Sequence, residues 1–258
     1  MTPTEVAAAG DVNLTAAWVT MARHAGHPAS QFDSMTMVAT GLPVAFFNGV
    51  FLHAPTSDPQ AAIDAAVEYF GGRGVPFLIW VREGLDEPLL TAGQAAGLRD
   101  AGEVPGMALR AVEQIPERSA SLLDVVIAQD DADIEAHRAG ITAGFELPSD
   151  TAEEIIGDGL LDDPDVAVAI GRLEGVPVAT ALLCRSGTTA GVYNVATVPD
   201  YRRQGYGETV TWAVVAEGVR RGCTHSILQS SPSGYPVYRR MGYQDVAKYL
   251  RLEGPPNS

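Results

Sequence analysis

Val195-Ala-Thr-Val-Pro-Asp-Tyr-Arg-Arg-Gln-Gly-Tyr-Gly-Glu208 is the stretch on which the reading of this chain turns. An apolar run ends at Pro199, the chain turns through Arg202 and Arg203, and a helix begins through Gly205 and Gly207. Glycine at both positions lets the backbone take unusual dihedrals and approach a ligand closely. The free amides of a helix N-terminus then point at an anion, helped by the helix dipole and the two guanidinium groups. Such a loop would cradle a pyrophosphate; the plainer alternative is a loop that only caps a helix.

Working outward, the flanks alternate strand and helix. Leu122 to Ala128 reads as a strand, Asp131 to Phe145 as a helix, and Thr151 to Ile156 as a helix start with a Thr151/Glu154 capping pair. Val166 to Leu173 and Val176 to Arg185 form a hairpin about Glu174-Gly175. The strand Gly191 to Val198, the helix Gly205 to Arg221 and the strand His225 to Ser230 follow. A short helix, Pro236 to Met241, stops at Gly242, and Tyr243 to Leu252 closes the sheet. This pattern specifies a mixed sheet covered by helices.

Upstream, helices are expected at Leu14 to Ala25, Pro59 to Tyr69 and Thr91 to Ala101. Strands are expected at Ser34 to Val38, Pro43 to His53, Pro76 to Val81 and Gly106 to Val112. A polar stretch with Pro116, Glu113 to Ser121, reads as a linker. Strand, helix, strand, helix, strand thus occurs at about 48–112 and again at about 191–252, a weak internal repeat of elements rather than of residues. No cradle follows Gly49 to His53: the sequence there is Ala54-Pro-Thr-Ser-Asp-Pro-Gln, with Asp58 where a phosphate would be repelled.

The quoted stretch resembles motif A of the GCN5-related N-acetyltransferases, in which Arg/Gln-x-x-Gly-x-Gly/Ala follows an apolar strand and a Pro-x-Tyr. Arg202, Gly205 and Gly207 take the defining positions, with Val195, Ala196, Thr197, Pro199 and Tyr201 ahead of them. The resemblance covers about Leu122 to Leu252. It implies an α/β (α+β) fold with a mixed, mostly antiparallel sheet flanked by helices, here as a tandem of two related halves. Residues 120–258 would be the acetyltransferase domain and residues 1–116 a degenerate relative of it. It also implies acetyl-CoA, or another acyl-CoA, as co-substrate. Backbone groups of Val195 to Thr197 would pair with the pantetheine arm, and Arg203, Gln204, Gly205, Tyr206, Gly207 and Glu208 would hold the pyrophosphate. No Gly-Lys-Ser/Thr closes the loop and the third glycine of a dinucleotide fingerprint is missing, so a nucleoside triphosphate or dinucleotide is not expected.

Further on, Tyr238-x-x-x-Gly242-Tyr243 resembles the family's motif B, which makes Tyr238 the candidate general acid on the leaving thiolate. A phenol with pKa near ~10 matches the basicity of a thiolate. Ser231 stands where the family often has an Asn that contacts pantetheine. The chain departs from the pattern on the preceding strand, His225-Ser-Ile-Leu-Gln-Ser, which has no carboxylate base. A water, His225 or Glu146 would then deprotonate the amine. The missing base also leaves open a non-catalytic acyl-CoA sensor or a scaffold. Arg239 and Arg240 lie where they could reach the cofactor's 3′-phosphate or simply form a solvated face.

Composition bounds the remainder. In 258 residues, 46% are hydrophobic and 19% charged, enough for a sizeable core in one large domain or two small ones. The net charge of -15 disfavours nucleic acid and anionic membranes and suits a cationic acceptor, a small-molecule or protein amine. Cys184 and Cys223 make no disulfide framework. His24 and His27 read as ordinary helix and loop residues, so no metal is expected. With no signal-like N-terminus and no run of ~20 apolar residues, a cytoplasmic monomer or homodimer is expected.

Overall fold

The computed structural model describes residues 1–110, 112, 123–148 and 150–254. The first half contains α1 (Pro3–His24), β1 (Ser30–Phe32), β2 (Met35–Ala39), β3 (Asn48–Leu52), α2 (Pro59–Gly71), β4 (Phe77–Arg82), α3 (Glu87–Ala95) and β5 (Arg99–Leu109). The second contains β6 (Asp124–Ile127), α4 (Asp131–Phe145), α5 (Thr151–Ile155), β7 (Val166–Leu173), β8 (Val176–Ser186), β9 (Thr189–Thr197), α6 (Tyr206–Arg220), β10 (His225–Gln229), α7 (Tyr235–Arg240) and β11 (Gln244–Gly254). The linker expected at Glu113 to Ser121 lies outside the described residues, as does Leu122.

All eleven strands form one sheet, in the order β1-β2-β3-β4-β11-β5-β10-β9-β8-β7-β6. Its two halves repeat one plan. β3 runs parallel to β4, and β9 parallel to β10, each pair joined by a helix crossover. The final strand of each half is exchanged: β11 lies antiparallel to β4, and β5 antiparallel to β10. β5 and β11 pair with each other at the centre, so Tyr243 to Leu252 joins the two halves instead of closing its own. The element order of the expected repeat is therefore present, and the mostly antiparallel mixed sheet is as expected.

Apolar alternation assigns the faces. α6 and α7 cover one side of the second half around Val210, Val214 and Tyr243, and α2 and α3 the same side of the first around Ile63, Phe70 and Leu89. α4 lies on the opposite side, and α1 crosses both halves there through Leu14, Ala17 and Met21. α1 is a stable strap because Thr2 and Glu5 cap it reciprocally and Pro3 sits in its first turn.

Local chemistry explains both the agreements and the differences. Glu174 (φ 50°) and Gly175 (φ 84°) turn the β7–β8 hairpin in the left-handed conformations that suit a two-residue loop. Pro43 to Ala45 is not strand. The buried Asn48 amide donates to the carbonyls of Leu42, Val44 and Pro76, and so satisfies groups that a ladder would otherwise use. α3 starts and ends earlier than Thr91 to Ala101: Asp86 caps it by accepting from Leu89 N, Pro88 sits in the first turn, and Gly97 (φ 87°) turns the chain into β5. The expected Thr151/Glu154 box is not formed, because Asp150 takes the N-cap position of α5 and makes no side-chain cap bond.

His137 of α4 is fully buried. Thr180 donates its hydroxyl to Ala169 O, so at 2.6 Å it can only accept from His137 Nδ1. Burial, helped by the neighbouring Arg138, pulls the imidazole pKa down to about 3. Below pH ~6.5 the unfolded chain takes up a proton that the folded chain refuses until about pH 3. Stability should therefore fall as pH drops across that window, by up to about 1.4 kcal/mol per unit. His137→Leu should flatten this acid limb, read as denaturant unfolding at pH 7 and 4.5; an unchanged limb would contradict the assignment.

Candidate functional site

β9 and β10 pair over only three residues, Thr189 to Gly191 against His225 to Ile227. Beyond Gly191 the strands separate, and Val192 to Thr197 is laddered to β8 alone. A bulge opposite Thr180 to Leu182, with Asn194 at φ 50°, bends β9 away. The result is a wedge whose β9 edge offers main-chain donors and acceptors to an extended ligand. The expected contacts Val195, Ala196 and Thr197 all lie on this edge.

At the wide end the chain makes a single turn, Pro199–Tyr201, and enters α6. Gly205 (φ 82°) is its N-cap, and no side chain caps the helix. The first intrahelical bond of this turn is Thr209 N to Gly205 O, so the amides of Tyr206, Gly207 and Glu208 have no helical acceptor. Arg203 is held at φ 63°, a left-handed conformation that is costly for any residue with a Cβ and is found at ligand loops. A Cβ on Gly207 would stand 3.3 Å from the Thr197 hydroxyl, so glycine there lets α6 close on β9. Gln204 Oε1 accepts from the Tyr206 hydroxyl at 3.1 Å.

Arg202 turns its guanidinium to the end of α4, donating to Gly144 O at 2.7 Å and lying 3.4 Å from Glu146. It ties the loop to its neighbour. Glu146 is thereby also fixed, as the left-handed cap of α4. Glu208 lies 3.9 Å from Arg240, and Arg239 Nη1 is 3.5 Å from Tyr243 O.

Tyr238 of α7 is 9% exposed and packs edge-on against Tyr243 at 5.8 Å, on the α6 face of the sheet. Burial pushes its phenol up to about 12, with the nearby Thr211 hydroxyl of α6 pulling the other way. Ser231 accepts from Gly234 N at 3.1 Å and so starts α7. His225 is buried at the far end of the strand pair, 2.8 Å from Thr189. His225 thus lies in the paired part of the strands, before they separate, and burial lowers its pKa. His24 and His27 do have carboxylate partners, Asp163 at 3.4 Å and Glu154 at 3.7 Å, and fasten the end of α1 to the second half. Among the described residues no cluster of His, Cys, Asp or Glu has the makings of a metal site, and no helix is long and apolar enough to cross a membrane.

Sequence reasoning missed a polar group on the α1 side of the wedge: the buried Asp11 and Asn13 of α1 and Tyr249 of β11, with the half-buried Tyr193 of β9. No spacing signals it, because its members come together only through the exchanged strand and the strap helix.

The first half differs at the equivalent place. Asp58 caps α2, its carboxylate accepting from Gln60 N and Ala61 N at 3.1 Å. Asp33 likewise takes Ser57 N, and Asp86 takes Thr56 N at 2.7 Å. The amides that would meet an anion are already satisfied by carboxylates. Asp58→Ala should cost about 1 kcal/mol of stability, read as a lower urea midpoint; an unchanged midpoint would show that the cap carries nothing.

Residues 133–243 match the family model described as the acetyltransferase (GNAT) family. Among solved structures, a GCN5-related N-acetyltransferase from Kribbella flavida is similar over 93% of this chain and 95% of that one, with 21% identity and a TM-score of 0.69. A functionally unknown conserved protein from Staphylococcus epidermidis covers 89% and 93%, with 14% identity and a TM-score of 0.64. A tandem GNAT protein from the clavulanic acid biosynthesis pathway covers 87% and 79%, with 10% identity and a TM-score of 0.58. These likenesses establish the fold, including its tandem plan. No curated protein matches the chain.

Proposed function

We propose, for a chain whose residues 133–243 form a domain of the acetyltransferase (GNAT) family, that the wedge between β9 and β10 holds acetyl-CoA and that the protein transfers its acetyl group to a primary amine. The observation that carries this reading is a strand edge free of its ladder that leads to an uncapped helix N-terminus. Pantetheine would lie along Val195, Ala196 and Thr197 as a pseudo-strand. The pyrophosphate would sit on the amides of Arg203 to Glu208, with the Arg203 side chain adding positive charge. Arg202 supports the loop from behind, and Ser231 flanks the mouth at the start of α7.

The amine attacks the thioester carbonyl directly within a ternary complex, the C–S bond breaks, and Tyr238 gives the departing thiolate its proton. Its phenol is fully protonated at neutral pH, as a general acid must be. We assign residues 120–258 to the catalytic domain and residues 1–116 to a degenerate partner that lends β5 and the strap α1. The net charge of -15 favours a cationic acceptor, a small molecule or a protein amine. A second reading, an acyl-CoA sensor without turnover, is favoured by one observation: β10 carries no carboxylate, and its one histidine is buried where the strands are still paired.

Calorimetric titration with acetyl-CoA should show binding that falls at least ~100-fold in an Arg203→Glu, Gly205→Asp variant, since charge and backbone are both removed from the cradle. Wild-type protein that binds nothing would refute the proposal. Tyr238→Phe should lower kcat by roughly 100-fold or more with the acetyl-CoA Kd unchanged. A protein that binds acetyl-CoA yet releases no thiol with any amine would favour the sensor.

A further inference from the structure

Amine attack produces a proton that the strand before α7 has no carboxylate to accept. A buried carboxylate stands elsewhere. Asp11 is 2% exposed although it is an acid, and it sits on the strap helix at the centre of the sheet. Arg82 Nε donates to its Oδ2 at 2.7 Å, leaving Oδ1 to accept from the Tyr249 hydroxyl at 2.9 Å. The side chain of Gln229, the last residue of β10, stands near enough to the same hydroxyl to oppose the upward push of burial on its pKa. Tyr193, two residues past the point where β9 leaves β10, is electrostatically coupled to Tyr249 and donates to Asn13 Oδ1 at 2.8 Å. Tyr249 therefore stands between the two diverging strands on the α1 side, while Tyr238 stands on the α6 side.

Three glycines clear this arrangement. Gly106 of β5 lies between β10 and β11, and a Cβ there would meet the Tyr249 ring at 2.8 Å, so the ring crosses β5 only because the side chain is absent. A Cβ on Gly10 would come within 3.3 Å of the Tyr249 hydroxyl. A Cβ on Gly191 would overlap Asn13. Close backbone approach at three separate elements is costly to arrange for packing alone.

We propose that Tyr249, backed by Asp11, takes the proton that the attacking amine loses. The inference rests on the acetyl-transfer reading above. As the amine nitrogen bonds to the thioester carbon, Tyr249 accepts a nitrogen-bound proton and passes its own to Asp11 Oδ1. The electron pair of the broken C–S bond leaves on sulfur, which Tyr238 protonates from the other face. Base and acid thus sit on opposite sides of the sheet, and the two protons do not cross. Tyr249 is the catalytic residue and Asp11 a positioning residue that receives the proton through it.

The groups facing Asp11 are Arg82 of β4, Tyr249 of β11 and His53 just after β3. Burial raises the carboxyl, opposed first by the hydrogen bond from Arg82. That upward push favours taking up a proton, while the ion pair with Arg82 holds the carboxyl in place.

The test compares wild type, Tyr249→Phe, Asp11→Asn and Asp11→Glu with acetyl-CoA and a panel of polyamines, aminoglycosides and lysine peptides. Readouts are kcat against pH, the acetyl-CoA Kd by calorimetry, and the melting midpoint. Tyr249→Phe keeps the ring and the Arg82–Asp11 pair, so it should fold. Its kcat should drop about 100-fold or more, with acetyl-CoA Kd within twofold. Asp11→Asn should erase the acidic limb of the pH profile, and Asp11→Glu should restore part of the rate. A folded Tyr249→Phe protein with wild-type kcat and pH profile overturns the assignment and leaves the acetyl-transfer reading standing, even if Asp11→Asn unfolds. Wild type that binds acetyl-CoA but acylates no amine overturns both.

Discussion

Parallel strands that stop pairing leave main-chain groups without partners, and the structure has to account for them. β9 and β10 part after Gly191 and Ile227, and six residues of β9 then continue with a ladder on one side only. A sheet tolerates this when the gap is meant to be filled by another extended chain. Everything else at the site is arranged around that gap. The bulge at Asn194 opens it, Arg202 braces the loop at its wide end against α4, and α6 aims three uncommitted amides along its rim. An acyl-pantetheine arm with a pyrophosphate tail has the matching polarity, extended at one end and anionic at the other.

The gap persists because β10 is held from its other side. β5 comes from the first half and ladders along β10, and β11 repays the exchange by completing the sheet beside β4. Neither half could close its sheet alone without losing a central strand, so each half is a structural requirement of the other. α1 reinforces the joint, since its Asp11 reaches Arg82 of one half and its Asn13 reaches Cys184 O and Ser186 of the other. The same exchange brings Tyr249 of the last strand to the wedge. Where the first half has the corresponding helix N-terminus, the Asp58 carboxylate caps it while α6 is left uncapped, and the paired design becomes asymmetric.

Much of this was legible in the sequence because it is local. The turn out of β9 and the glycine start of α6 follow from two glycines and a proline at fixed spacing, and the β7–β8 hairpin from Glu174-Gly175 between two apolar runs. α4 begins and ends at the expected Asp131 and Phe145, and the five-element repeat was visible as an order of patterns. The misreadings have physical causes. α3 was displaced because Asp86-Glu-Pro is a stronger start signal than the apolar spacing after Thr91, and Thr151 failed as a cap because Asp150 preceded it. The strand exchange was hidden, since an antiparallel pair between residues 99–109 and 244–254 has no signature within either segment. The Asp11, Tyr193 and Tyr249 group was hidden for the same reason, and of its three enabling glycines two, Gly106 and Gly191, read only as the first residues of expected strands.

Main-chain amide shifts on titration with acetyl-CoA, followed by NMR on labelled protein, test the central claim most directly. The account predicts large shifts along Val195 to Thr197 and Arg203 to Glu208, with Asp58 to Ala61 of the first half unmoved. Shifts confined to the first half, or none along β9 and the start of α6, would contradict it.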